Sequence, residues 1–251
     1  MTEDENILKK RFAELSAASS ANYYYEQTAF LNLNEQSILN SLTVSGKIKY
    51  VRLFGGYIDA ERQIAIFGNE DEIGYECTPN IDIIKIAPVS EKFSEELTHR
   101  DYLGAVLSLG IKREMTGDIL ISGKTAFMFV ISSISKYITE NLNRIRHTDI
   151  KAELTDNIPE GIIKEPEEKI FFISSERLDC IISAAYNISR AEAKNLCIKE
   201  RVFINSKLTV SSSKLIFNGD LISVRGFGRI KYSGIQKQTK KGRLAVMLEI
   251  Y

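Results

Sequence analysis

Between Glu176 and Arg229 the hydrophobic period switches from helical to strand-like within a short span, which leaves few ways to fold it. Leu178, Ile181, Ile182 and Ala185 recur at i, i+3, i+4 and i+7, one apolar stripe on a short helix. Asn187 breaks the stripe. Ser189 then caps a second helix, and Glu192 three residues on completes a capping box. In that helix Ala193, Leu196 and Cys197 fall at i, i+3 and i+4 and should pack on the first helix. Arg201-Val202-Phe203-Ile204-Asn205 alternates like a half-buried strand, and Gly219 to Gly226 supplies another.

Cations stand at nearly every junction of this pattern. Arg190 and Lys194 are four apart and share a helix face away from the core. Arg190 also opens its helix, where free N–H groups and the dipole favour an anion such as phosphate. Its side chain is expected to point outward and to matter little to the fold. Clustering on a helix start and the adjoining loops suits a grip on structured RNA. The candidate contacts are Arg177, Ser189, Arg190, Lys194, Lys199, Arg201, Asn205, Lys207, Arg225 and Arg229. The cations would neutralise phosphates, and Asn205 would bond sugar or base edges.

The quoted residues resemble the S4 RNA-binding domain over roughly Ser174 to Arg229. The resemblance rests on Arg177-Leu178-Asp179, Ser189-Arg190, Ala193-Lys194, Val202-x-Ile204-Asn205 and Gly219-Asp220-x-Ile222. Two positions depart from it: Glu200 and Ser206 stand where that family usually carries glycine. The first sets a carboxylate beside the expected RNA face. The resemblance implies an αL-like S4 fold at the C-terminus.

The chain has 251 residues and a formal net charge of zero, an unpromising total for a nucleic-acid binder. Divided at Phe172, however, it is strongly polar. From there onward 14 Lys and Arg face 6 Asp and Glu, a net of +8, and the rest holds 19 basic against 27 acidic residues, a net of −8. A basic working domain therefore accompanies an acidic body.

Residues 1–76 are expected to form a small helical domain with a small sheet. Ile7, Leu8, Phe12 and Leu15 mark one helix, and Phe30, Leu31, Leu33, Ile38 and Leu42 suggest two further short ones. Tyr50 to Phe54 and Arg62 to Phe67 then read as paired strands. Residues 77–157 alternate strand, helix, strand, strand, helix, strand, the order of a ferredoxin-like (RRM-like) domain used by many RNA binders. In that domain Lys112, Arg113 and Lys124 offer a second RNA contact. Residues 158–171, with Pro159, Pro166 and several glutamates, read as a linker, and 172–251 as the S4 domain. The fold class is thus α+β and multidomain.

The catalytic patterns in the chain are each incomplete. His99-Arg100-Asp101 spells a kinase catalytic triplet, but Val106 stands where that loop needs its asparagine. Gly55-Gly56 lacks the Gly-Lys-Ser/Thr of a phosphate loop. Arg177-Leu178-Asp179 matches a pseudouridine-synthase triplet, yet Cys180-Ile181-Ile182 follows it rather than Thr-x-Gly. Asp179 is read as a structural partner for a backbone group or cation. Arg225-Gly226-Phe227-Gly228-Arg229 half-matches an RRM signature, with Arg229 replacing its aromatic. Tyr23-Tyr24-Tyr25 is assigned to packing ahead of base stacking. No metal or cofactor is expected. Cys77, Cys180 and Cys197 form no C-x-x-C pair and read as buried free thiols of a reducing compartment. The acidic N-terminus is unlike a secretory signal, and no apolar run is long enough to span a bilayer, so a cytoplasmic, monomeric protein is expected.

Thr98 to Ala105, Leu109 to Glu114, Gly117-Asp118-Ile119 and Ser223 to Arg229 together resemble the bacterial YlmH family over most of the chain. That resemblance implies an N-terminal domain, a ferredoxin-like RNA-binding domain and an S4 domain. It also implies a link to the large ribosomal subunit, rescue of stalled nascent-chain complexes and, by gene neighbourhood, cell division. The expected function is non-enzymatic gripping of rRNA or tRNA, with no membrane and no small-molecule substrate. The rival expectations are an RNA-modifying enzyme docked by S4 and a cell-division interaction protein.

Overall fold

The computed structural model describes residues 3–163, 165–239 and 242–251. Among these, seven α-helices accompany three sheets whose strand pairs are all antiparallel. The chain divides into two compact units, Met1–Ile163 and Lys164–Tyr251.

The first unit opens with α1 (Glu3–Asn22), β1 (Glu26–Gln27), α2 (Leu33–Val44), β2 (Val51–Phe54), β3 (Ile64–Phe67) and the single turn α3 (Glu70–Ile73). Asn32 caps α2 with Glu35 in a reciprocal box, and the two short helices expected near Phe30 and Leu42 merge into this one. Phe30 and Leu31 lie before it, Leu31 bridging Gln63. β3 is the central strand of order β1-β3-β2, and all four of its residues are buried. Alternation explains this: Ala65 and Phe67 pack with Phe12, Leu15 and Leu39, while Ile64 and Ile66 face the other way.

That other side belongs to the next segment, β4 (Ile81–Pro88), α4 (His99–Ser108), β5 (Thr116–Ser122), β6 (Thr125–Ile131), α5 (Ser132–Asn141), β7 (Arg144–Ile145) and β8 (Thr148–Leu154). The sheet order is β5-β6-β4-β8-β7, so the four long strands follow the ferredoxin-like order. Asp101 caps α4 by accepting from the Thr98 backbone N–H and hydroxyl. Ala126, Met128 and Val130 join the core beneath α4 and α5. Phe129 and Ile131 point oppositely and share a core with Phe30, Ile64, Ile66 and Cys77. Residues on either side of position 76 therefore bury one another. A polar knot reinforces the seam. Asp118 accepts from Tyr57 Oη at 2.8 Å and from the Glu61 and Arg62 N–H groups at 2.7 and 3.1 Å.

The second unit comprises β9 (Glu167–Ile173), α6 (Leu178–Tyr186), α7 (Arg190–Ile198), β10 (Val202–Ile204), β11 (Lys207–Leu208), β12 (Leu221–Val224), β13 (Gly228–Gln238) and β14 (Leu244–Ile250). They form one six-stranded sheet in the order β11-β10-β12-β13-β14-β9. β9 begins inside the segment expected as linker. Its register with β14, Glu167 opposite Ile250 through Ile173 opposite Leu244, orders residues whose two glutamates and lysine suggest exposed chain. Leu178, Ile181, Ile182, Ala193, Leu196 and Cys197 pack on Val202, Ile204, Ile222, Val224 and Val246. All three cysteines are free and buried.

Candidate nucleic-acid interface

Two short helices meet at one carboxylate. Asn187, in the left-handed region at φ 52°, ends α6, and Ser189 starts α7. This tight corner brings the first turn of α7 against the first turn of α6. There Asp179, 5% exposed, accepts from Arg190 Nε and Nη2 at 3.2 and 2.6 Å and from Arg177 Nε and Nη2 at 3.1 and 3.3 Å. Burial by itself raises the Asp179 carboxyl, but the hydrogen bonds from Arg190 and Arg177 outweigh it and hold the group below its usual value. Arg190 is raised in turn, chiefly by its bond to Asp179.

The loop after β11 closes the site from below. The N–H groups of Leu178 and Asp179, unpaired within α6, donate to the carbonyls of Lys214 and Ser212 at 2.9 Å. Arg177 bridges Leu215, and Ile216 donates to Glu176. The result is an open cleft of about 640 Å³ lined by Arg177, Asp179, Arg190, Lys194 and Ser211 to Ser213. Three cations face one acid there, so the cleft carries net positive charge.

One expectation needs correcting here. Arg190 does not project freely from its helix; two of its guanidinium nitrogens are committed to Asp179. The cap of α7 is the expected reciprocal box, which engages the Glu192 N–H and leaves those of Arg190 and Ala191 outside it. Ser189 Oγ accepts from the Glu192 N–H at 3.1 Å, and the Glu192 carboxylate accepts from the Ser189 N–H at 2.8 Å.

Asn205 is likewise engaged. Its side chain donates to Asp220 at 2.7 Å and accepts from the Leu221 N–H at 2.9 Å, tying the β10–β11 turn to β12. That turn holds Asn205 and Ser206 at φ 49° and 63°, both left-handed, as a two-residue hairpin turn requires. Glu200 has φ 56°. The two positions where the sequence lacks an expected glycine are thus positions where the backbone favours one.

The remaining candidates spread over the unit. Lys199, Arg201 and Lys207 are exposed at the end of α7 and around β10. Arg225 stacks on the Phe203 ring, 4.8 Å from its centroid, and Arg229 on Tyr251 at 5.1 Å. Phe203 alternates with Val202 and Ile204, so Arg225 lies on the sheet face opposite α6 and α7.

In the first unit, Lys112 is exposed, but its neighbours are occupied. Arg113 Nη1 donates to the Thr116 carbonyl and hydroxyl at 2.6 Å, and its pKa falls to about 10 through burial and then the charge of Arg62. Lys124 Nζ donates to the carbonyls of Glu91 and Ser94 at 2.8 Å. Both cations serve the loops that hold them. Of the tyrosine run, Tyr25 packs edge-on to Tyr75, while Tyr23 is exposed.

The sequence reading missed the wall formed by Ser211 to Ser213 and the reach of Asp179 across eleven residues to Arg190. Only the acid at the second position after Arg177 hinted at the latter.

A family model described as "Putative RNA-binding domain in YlmH" matches residues 75–157, the segment spanning β4 to β8. The "Ribosome-associated protein quality control protein P2" of Bacillus subtilis (strain 168) is 27% identical over 253 residues, covering 98% of this chain and 95% of its own length. The solved "Cell division protein ylmH from Streptococcus pneumoniae" aligns with a TM-score of 0.47 and 21% identity, over 62% of this chain and 93% of that chain. The chain is thus similar to the RNA-binding domain of the YlmH family over residues 75–157, and to a ribosome-associated relative along nearly its whole length.

Proposed function

We propose that this protein is a non-enzymatic RNA-binding protein that grips rRNA or tRNA on the large ribosomal subunit, through a C-terminal S4 module. One observation carries the reading: Arg177, Arg190 and Lys194 line a single cleft, with two guanidiniums aimed by one buried carboxylate. A planar fork held in place loses little freedom when it meets a phosphate, which is how such a site gains affinity. The net charge of +8 from Phe172 onward supplies the long-range attraction.

The relative named for ribosome-associated quality control supports a role with stalled nascent-chain complexes, and the family model supports RNA contact by residues 75–157 as well. On this reading Lys199, Arg201 and Lys207 extend the grip, Arg225 and Arg229 add contacts from the opposite sheet face, and the protein works in the cytoplasm. Among the described residues no helix is long and apolar enough to cross a membrane.

Cosedimentation tests the proposal. The protein should pellet with purified large ribosomal subunits, and Lys194→Ala should weaken that association without changing the melting temperature. A modified nucleoside missing from the rRNA of a strain lacking the protein would instead favour an RNA-modifying enzyme.

A further inference from the structure

Arg190 borders a second cavity. On its other side lies a space of about 400 Å³ walled by Ser174, Cys180, Ser183, Ala184 and Arg243. Arg243 immediately precedes β14, and its Nη2 donates to the Phe172 carbonyl at 2.6 Å. That bond fixes one edge of the guanidinium and leaves Nε and Nη1 for another acceptor. Arg190 spends Nε and Nη2 on Asp179, which leaves its Nη1.

The lining of this cavity differs from that of its neighbour in one decisive respect. Asp179 is part of the wall beside Arg177 and Lys194, whereas no carboxylate lines the space between Arg190 and Arg243. Arg243 brings to this acid-free wall a positive charge that no carboxylate of the lining offsets, while Arg190, whose charge is shared with Asp179, adds a fixed donor edge. Both are anchored before any ligand arrives, and a guanidinium fork matches phosphate oxygens in geometry and charge. The hollow is larger than a phosphate alone, and its hydroxyl and small side chains leave room for the attached sugar.

We propose that this cleft is a second phosphate subsite, taking a phosphodiester of the RNA backbone, with Arg190 shared between the two subsites and Arg243 as the contact from the β13–β14 side. The RNA path then continues from α7 toward that hairpin. This rests on the RNA-grip reading.

The test uses the full chain and purified large ribosomal subunits, with binding measured across a salt series at a temperature where melting curves show every variant folded. Arg243→Gln keeps a donor for the Phe172 carbonyl but removes the charge. It should weaken binding roughly 10-fold, the scale of one charge-assisted hydrogen bond. It should also lower the log–log salt slope by about 0.7–0.9, one phosphate contact. Arg243→Lys should recover the slope and part of the affinity. If Arg243→Gln binds like the wild type while Lys194→Ala binds weakly, the cleft takes no phosphate and the grip itself stands. If neither variant changes binding, or the wild type does not bind, the grip reading falls and this subsite with it.

Discussion

Arg190 is tied to Asp179 through Nε at 3.2 Å and Nη2 at 2.6 Å, both to the same carboxylate oxygen, across a corner between two helices. Asp179 is nearly sealed from solvent, while the Arg190 side chain stays 54% exposed. The pair therefore works at two levels: the acid fastens α7 to α6, and the base presents a fixed cation at the surface.

Removing Asp179 should accordingly damage the fold more than removing Arg190. Asp179→Ala strands two guanidiniums that can turn to water, so a loss of about 1–3 kcal/mol is expected from the broken charged hydrogen bonds. Arg190→Ala leaves Asp179 paired with Arg177 and should cost about 1 kcal/mol. Chemical denaturation of the two variants checks the order, and an Asp179→Ala variant as stable as the wild type would mean the clamp has no structural role.

The same carboxylate predicts an acid dependence. Its folded pKa is depressed, so the stability it contributes is fully present above its unfolded value near 3.9 and is lost as pH falls through the lower folded value. The melting temperature of the wild type should exceed that of Asp179→Asn above about pH 4 and converge with it below. Parallel curves through that window would remove Asp179 from the account.

Glycine belongs at two positions where this chain lacks it. Glu200 and Ser206 sit at φ 56° and 63°, where a side chain costs about 1–2 kcal/mol. Glu200→Gly and Ser206→Gly should each stabilise by up to about 1 kcal/mol, after the entropy glycine loses on folding. Glu200→Gly also removes a carboxylate beside the proposed RNA face and should tighten RNA binding. Calorimetry and filter binding on the same samples read both effects.

Much of this was legible in the sequence, and what was not has a common cause. The stripes of α6 and α7 and the Ser189–Glu192 box are local patterns, readable from spacing. The partner of a side chain eleven residues away is not. Arg190 looks the same on paper whether it awaits a phosphate or holds Asp179. Arg62 to Phe67 reads as a strand, but the run gives no sign that its outer side is covered by Phe129 and Ile131. β9 was hidden because its first half, Glu167 to Lys169, has the composition of a linker.

That shared core makes a separate prediction. A methyl group at Gly117 would sit 2.6 Å from the Phe30 ring, and one at Gly56, held at φ 97°, 2.3 Å from the Phe129 ring. Gly117→Ala should destabilise residues 1–163 by about 1–3 kcal/mol through overpacking. A fragment covering 77–163 alone would bare Phe129 and Ile131, and it should bind a hydrophobic dye strongly. A well-folded, dye-silent fragment would show that the seam is dispensable.

The central claim is that RNA is held by the C-terminal unit, and titrating labelled ribosomal RNA into fragments 165–251 and 1–163 tests it most directly. Residues 165–251 should keep most of the full chain's affinity with a steep salt dependence, because nearly all the excess positive charge lies there. Leu196→Ala in that fragment should cost roughly 2–5 kcal/mol of stability and lose binding only as it unfolds. Equal affinity of the two fragments, or stronger binding by 1–163, would contradict the account.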